Sequence, residues 1–181
     1  MTRVLLVDDH AVVRTGFRLL LQARPDVTVV GEAESGEAAC PRYVELSNAV
    51  DVMAIAMPGM GGIEALRRIR AHDPQARVLA LSAHDDPMHA RRALREGALG
   101  FLSKRSAPEA LLEAVADVGA GRRYIDPRVA QRLALEDIAG AESSPIKRLS
   151  EREFEVFLRL ARGASVQRIA DDLSLSASTV G

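Results

Sequence analysis

Over residues 1–120 the chain alternates five apolar, strand-length runs with five amphipathic, helix-length stretches, and no other feature restricts its fold as much. Arg3-Val4-Leu5-Leu6-Val7-Asp8 is apolar at four successive positions, so neither face of this strand can be left to water. Residues 11–23 follow with Val13, Phe17, Leu20 and Leu21 at helical spacing. The alternation continues with strands at 27–33, 50–56, 77–82 and 99–102 and helices at 35–47, 63–71, 87–97 and 107–118. Pro41 is expected to kink or break the second helix. Asp86-Pro87 reads as an N-cap and first helical residue, and Ser106 with Glu109 as a capping box. Five βα units in succession predict an α/β fold, a doubly wound five-stranded parallel sheet.

In such sheets the binding site lies beyond the carboxyl ends of the strands. Asp8, Asp9, residue 54, Ser82 and Lys104 all fall at such ends. Each has an ordinary explanation when taken singly. Adjacent acids suit a solvated turn, Ser82 an ordinary strand end, Lys104 a surface, and Phe101 a core. Polar positions reaching one edge from separate strands are much harder to obtain by chance.

Val7-Asp8-Asp9-His10, Met57-Pro58-Gly59, Ser82 and Gly100-Phe101-Leu102-Ser103-Lys104 together resemble the flavodoxin-like receiver domain of bacterial two-component response regulators. The resemblance implies that Asp8, Asp9 and the Ala56 backbone carbonyl ligate Mg2+. It also implies that Lys104 and Ser82 contact a phosphoryl group and that Phe101 occupies an aromatic switch position. The chemistry is consistent, because an incoming phosphoryl group needs a metal and a fixed cation, and Mg2+ prefers oxygen ligands. Receivers carry the phosphate-accepting Asp four residues before the Pro of Met-Pro-Gly, and here that position is Ala54. A methyl group neither accepts phosphate nor ligates a metal. Asp51 lies three residues away, about 10 Å along a strand, and on the opposite face. The expectation is a receiver whose acceptor Asp is missing at 54, with weakened Mg2+ binding and no ordinary aspartyl phosphorylation. Lys104, having lost that partner, is expected to turn toward Asp9.

Residues 121–148 read as a linker with a short helix from Asp126-Pro127 to about Leu135. Residues 149–181 are helical again, with Ser150 and Glu153 as a capping box and Phe154, Phe157, Leu158 and Leu160 on one face. Leu149 to Phe157 and Ala164 to Val180 resemble the LuxR-type helix-turn-helix of the NarL/FixJ response regulators, and Arg122 to Ile125 resembles a GacA/UvrY-type subgroup. The resemblance implies a DNA-binding domain whose third helix enters the major groove, with Ser178, Thr179 and Val180 beginning the contact. Only about five helical residues follow Ser176, roughly 7.5 Å of helix, so this small all-α domain reads as truncated and its DNA binding as weak.

Composition agrees: the net charge is −1, whereas nucleic-acid domains are usually more basic. A single cysteine, Cys40, excludes an intrachain disulfide and suits a reducing compartment. No apolar run approaches the roughly 20 residues of a membrane span, so a soluble cytoplasmic protein with no membrane partner is expected. The chain lacks a phosphate-binding Gly-rich loop and a nucleophile–base pair, and His10, His72, His84 and His89 lack ligand spacing, so no enzyme is expected. The leading reading is a homodimeric transcriptional response regulator. Its implied partners are a sensor histidine kinase, promoter DNA and RNA polymerase. The alternative is a phosphorylation-independent pseudo-receiver acting as an interaction or dimerisation module. In it Arg91, Arg92 and Arg95 would pair with Glu109, Glu113 and Asp117 across a dimer face, although solvated helix surfaces account for the same charges.

Overall fold

Residues that cannot face water on either side set the first strand, β1 (Thr2–Val7), in which Val4, Leu5, Leu6 and Val7 are at most 1% exposed. The computed structural model describes residues 1–139 apart from 48, 86 and 107. After β1 come α1 (Ala11–Gln22), β2 (Val27–Ala33), α2 (Gly36–Leu46), β3 (Val50–Ala54) and α3 (Gly62–His72). There follow β4 (Arg77–Ser82), α4 (Pro87–Arg95), β5 (Gly100–Ser103), α5 (Pro108–Gly119), β6 (Tyr124–Ile125) and α6 (Pro127–Ile138). The strands form one sheet in the order β2-β1-β3-β4-β5-β6, and every pairing is parallel. The chain turns back at β1, so the crevice beyond the ends of β1 and β3 is the switch point where this topology opens a site.

Apolar residues divide by strand parity into two cores. Val4, Leu6, Val50, Val52, Leu79 and Leu81 face α1 and α5, packing against Leu21, Leu111, Val115 and Val118. Leu5, Val7, Met53, Val78 and Phe101 face the other helices, packing against Tyr43, Leu66, Ile69, Ala90 and Val129. Asp51 shares this second face, opposite Leu5 and Val78 and wholly buried. Burying a Leu or Phe side chain contributes about 2 kcal/mol, so the two cores carry most of this unit's stability.

Three expectations are corrected. The sheet has six strands instead of five, because Tyr124 and Ile125 pair with Gly100 and Phe101. A two-residue strand is too short to show a period of two. Pro41 does not interrupt α2, which runs from its Ser35 cap to Leu46. Pro41 lies on the exposed side, where the carbonyl it leaves without a helical donor can meet water, while Ala39 and Tyr43 anchor the buried side. The third strand ends at Ala54 and not at 56.

The chain divides into two compact units, Met1–Leu133 and Ala134–Gly181. Residues 121–133 thus belong with the six-stranded sheet: Val129 is 0% exposed, and Ile125 and Leu133 pack on the same core. Asp86, expected as an N-cap, and residues 149–181, expected as a helix-turn-helix, lie outside the described residues. Among the described residues no helix is long and apolar enough to cross a membrane.

Candidate functional site

The site begins where β1 runs out of apolar residues. The Asp8 N–H donates to the Ala33 carbonyl at 3.1 Å, and the Asp8 carbonyl accepts from Arg14 Nη1 at 2.6 Å. Arg14 is itself held by Glu32, whose Oε2 is 2.8 Å from Arg14 Nε. Burial works against the charge on Glu32, but hydrogen bonds from Arg14 and Arg18 outweigh it and hold the carboxyl below its usual range. The backbone of Asp8 is therefore fixed from both sides before its side chain makes any contact.

That side chain is 3% exposed. Its Oδ1 accepts the His10 N–H at 2.9 Å, closing a tight turn that points Asp8, Asp9 and His10 the same way. His10 Nδ1 lies 3.2 Å from Asp9 Oδ1 and 3.3 Å from Asp8 Oδ1, and ligand atoms of all three residues lie within 4.8 Å of one another. The histidine expected to stand apart therefore joins the acidic pair, because the turn folds it back over the two carboxylates.

Lys104 Nζ meets Asp8 Oδ2 at 2.5 Å, which corrects the expectation that it would turn toward Asp9. Asp8 is sealed while the Asp9 side chain keeps 23% exposure, so the ammonium goes to the charge that water cannot reach. No well-angled hydrogen bond reaches Asp8 Oδ2, but the ammonium balances its charge; Asp9 Oδ1 is buried with no hydrogen-bond donor. These carboxylate oxygens, with solvent at Asp9, suit a hard divalent cation that retains several waters. Ala56, expected to add its carbonyl, follows the end of β3 and is exposed.

The other strand ends arrive in register. Ala54 pairs with Leu81 and Ser82 with Ser103, and the Lys104 N–H donates to the Ser82 carbonyl at 2.7 Å. Ser82 Oγ accepts the His84 N–H at 3.1 Å, so the hydroxyl is held within its own loop. Phe101 is 0% exposed, turned fully into the core. Ala54 is also 0% exposed. Gly62, the first residue of α3, comes so close that an added Cβ would lie 2.8 Å from Ile55 Cα. Glu37 braces the loop between β3 and α3 by accepting the Met60 N–H at 2.7 Å, and that bond holds its carboxyl below the usual range. Asp51 is no substitute acceptor. It is 0% exposed, neither of its oxygens has a donor, and burial pushes its pKa up to about 8.

Sequence reasoning thus placed Asp8, Asp9, Ala54, Ser82 and Lys104 at one sheet edge but missed His10, Arg14, Glu37 and Asp126. Of these only Asp126 carried a signal, the Asp-Pro helix start. It is 5% exposed and accepts the Ser106 hydroxyl at 2.6 Å. Ser178, Thr179 and Val180 lie outside the described residues.

Known proteins share this chain's sequence pattern and fold. Residues 4–116 match the family described as "Response regulator receiver domain", and residues 147–181 match "Bacterial regulatory proteins, luxR family". The response regulator GacA of Pseudomonas protegens is 39% identical over 180 residues, covering 99% of this chain and 84% of that protein. The crystal structure of a LuxR-family two-component response regulator from Aurantimonas is similar with a TM-score of 0.73 and 41% identity, over 76% of this chain and 99% of that one. The RcsB–DNA complex is similar with a TM-score of 0.68 and 30% identity, over 99% of this chain and 86% of that one. With a receiver sheet whose strand ends gather two acids, a serine and a lysine, and with a LuxR-type segment after it, the chain belongs to the two-component response regulators of the LuxR type.

Proposed function

We propose that this chain is a DNA-binding transcriptional regulator of a two-component phosphorelay whose receiver, with alanine at residue 54, does not undergo aspartyl phosphorylation. The observation that carries this reading is Ala54 itself. It ends β3, fully buried, in register with the strand that delivers Ser82 and beside the strand that leads to Asp8. Asp8 and Asp9, with the Ala56 carbonyl, would hold Mg2+. When bound, the ion would supply charge neutralisation for an incoming phosphoryl group. Asp8 and Asp9 supply its anionic oxygens, Lys104 supplies a fixed positive charge, and Ser82 supplies a hydroxyl. None of them replaces the missing acceptor carboxylate.

The DNA-binding half of the reading rests on the luxR-family match over residues 147–181 and on the RcsB relative, whose structure is a complex with DNA. Ser178, Thr179 and Val180 would begin the contact with promoter DNA. A sensor histidine kinase, RNA polymerase and a second copy of the chain complete the expected partners.

The deciding experiment is the intact mass of the chain and of its Ala54→Asp variant, before and after Mg2+ and acetyl phosphate. The variant is expected to gain one phosphoryl group while the parent gains none. A phosphoryl gain by the parent at any aspartate overturns the reading. A folded variant that gains none favours a second reading, a phosphorylation-independent interaction module. One observation already favours that module: the 2.5 Å Lys104–Asp8 contact satisfies both charges without a phosphoryl group.

A further inference from the structure

The carboxylate of Asp126 gathers donors from two separate segments. Its Oδ2 accepts the Ser103 N–H at 3.4 Å, from the last residue of β5, and the Ser106 hydroxyl at 2.6 Å, from the loop that follows. Its Oδ1 accepts the Arg128 N–H at 3.0 Å in the first turn of α6. The main chain of the same residue bonds in both directions. The Asp126 N–H donates to the Phe101 carbonyl at 2.9 Å, and the Asp126 carbonyl accepts the Ala130 N–H at 2.9 Å. One buried residue thus closes the edge of the sheet, caps α6 and grips the loop 103–106.

Lys104 lies inside that loop. The Ser106 N–H donates to the Ser103 carbonyl at 3.0 Å, and the Arg105 N–H to Ser103 Oγ at 3.2 Å, so the loop is a single tight turn. Its other fastenings are the Lys104 N–H on the Ser82 carbonyl and the Lys104 ammonium on Asp8. A second tie joins α6 to the loop after β4, where Arg132 Nη1 donates to the Asp85 carbonyl at 3.0 Å. The two loops that bring Ser82 and Lys104 to the site are therefore both bonded to α6 or to its cap residue.

We propose that Asp126 is a positioning residue that holds the Lys104-bearing turn against the start of α6, so that the Lys104–Asp8 pair and α6 tighten and loosen together. Only the naming of Lys104 and Asp8 as a phosphoryl site rests on the reading above; the mechanical link does not. A carboxylate suits this place because every group aimed at it is an N–H or O–H donor, and bonds to an ionised acceptor are the stronger kind.

The test is backbone hydrogen exchange of the full chain, read in peptides covering 127–133, with 2–7 as the reference for global unfolding. It compares the parent, Lys104→Ala, Asp126→Asn and the double variant. Lys104→Ala is expected to speed exchange in 127–133 about fivefold beyond any change that the unpaired Asp8 causes in 2–7, the equivalent of one lost hydrogen bond. In the Asp126→Asn background the same lysine substitution is expected to add less than about twofold, because the link is already broken. Asp126 acting only as a cap of α6 would give a different result. Lys104→Ala would then leave 127–133 unchanged, or its effect would multiply with that of Asp126→Asn, and either outcome overturns the proposal. Should Asp126→Asn lose protection in 2–7, Ser106→Ala replaces it, removing the 2.6 Å bond while keeping the charge, with the same non-additivity expected. A parallel series adds MgCl2. No response at residues 8–10, with the Lys104 effect on α6 intact, counts against the phosphoryl-site reading and supports the link.

Discussion

Asp51 and Lys104 are two charged residues with opposite situations, and each makes a prediction. Asp51 is 0% exposed with no donor to either oxygen, and burial pushes its pKa up to about 8. In an unfolded chain the same carboxyl titrates near about 4. Between those two pH values the folded state keeps a proton that the unfolded state has released. Stability therefore falls as pH rises from about 4 to about 8 and levels off above that. Asp51→Val is expected to stabilise the receiver, and the gain should widen by roughly 3–4 kcal/mol between pH 5 and pH 8. Urea unfolding of both proteins at the two pH values measures it, and a gain independent of pH would show that no buried proton is involved. Lys104, by contrast, is paired, and a divalent cation at Asp8 has to compete with its ammonium. Lys104→Met should therefore tighten Mg2+ binding by roughly tenfold, read by calorimetry, and Asp9→Asn in that background should abolish it. Unchanged affinity in Lys104→Met would show that the ammonium does not occupy the metal's place. The sequence placed Asp51 within its strand and Lys104 just past the end of the fifth. It misjudged Lys104's partner, since the choice between two adjacent acids depends on which one is cut off from water.

Two helical glycines show how packing decides what an element tolerates. Gly16 in the middle of α1 has nothing within 4 Å of an added Cβ, so Gly16→Ala should raise stability by about 0.5–1 kcal/mol through helix propensity alone. Gly62 opens α3 against the end of β3, with Ile55 Cα 2.8 Å from an added Cβ, so Gly62→Ala should cost about 1–3 kcal/mol. Thermal unfolding separates the two, and a neutral Gly62→Ala would mean that α3 is free to shift at the site. Most elements were legible because their apolar periods are local: β1, α1, β4 and α5 lie within a residue or so of the bounds that their patterns predict. Pro41 and β6 were misread for the opposite reason. Pro41 is carried by Ala39 and Tyr43 packing on distant residues, and β6 is a strand only because β5 offers it an edge.

At the scale of the whole molecule, the receiver unit extends to Leu133. A fragment ending at residue 120 would lose the fully buried Val129, the packing of Ile125 and Leu133 and the bonds of Asp126. It should melt roughly 5–10 °C below a fragment ending at residue 133. Equal melting temperatures would show that β6 and α6 add nothing to the sheet. By itself the sequence determined the α/β class, the sheet edge that carries Asp8, Asp9, Ser82 and Lys104, and the presence of alanine at residue 54. All of these follow from local periodicity and from residue identity at strand ends. Only the tertiary structure decided that Lys104 pairs with Asp8, that His10 folds over the acids, that Asp51 is sealed without a partner, and that Asp126 ties the site's loop to α6. Each of those depends on burial or on a contact made in space, and neither leaves a period in the chain.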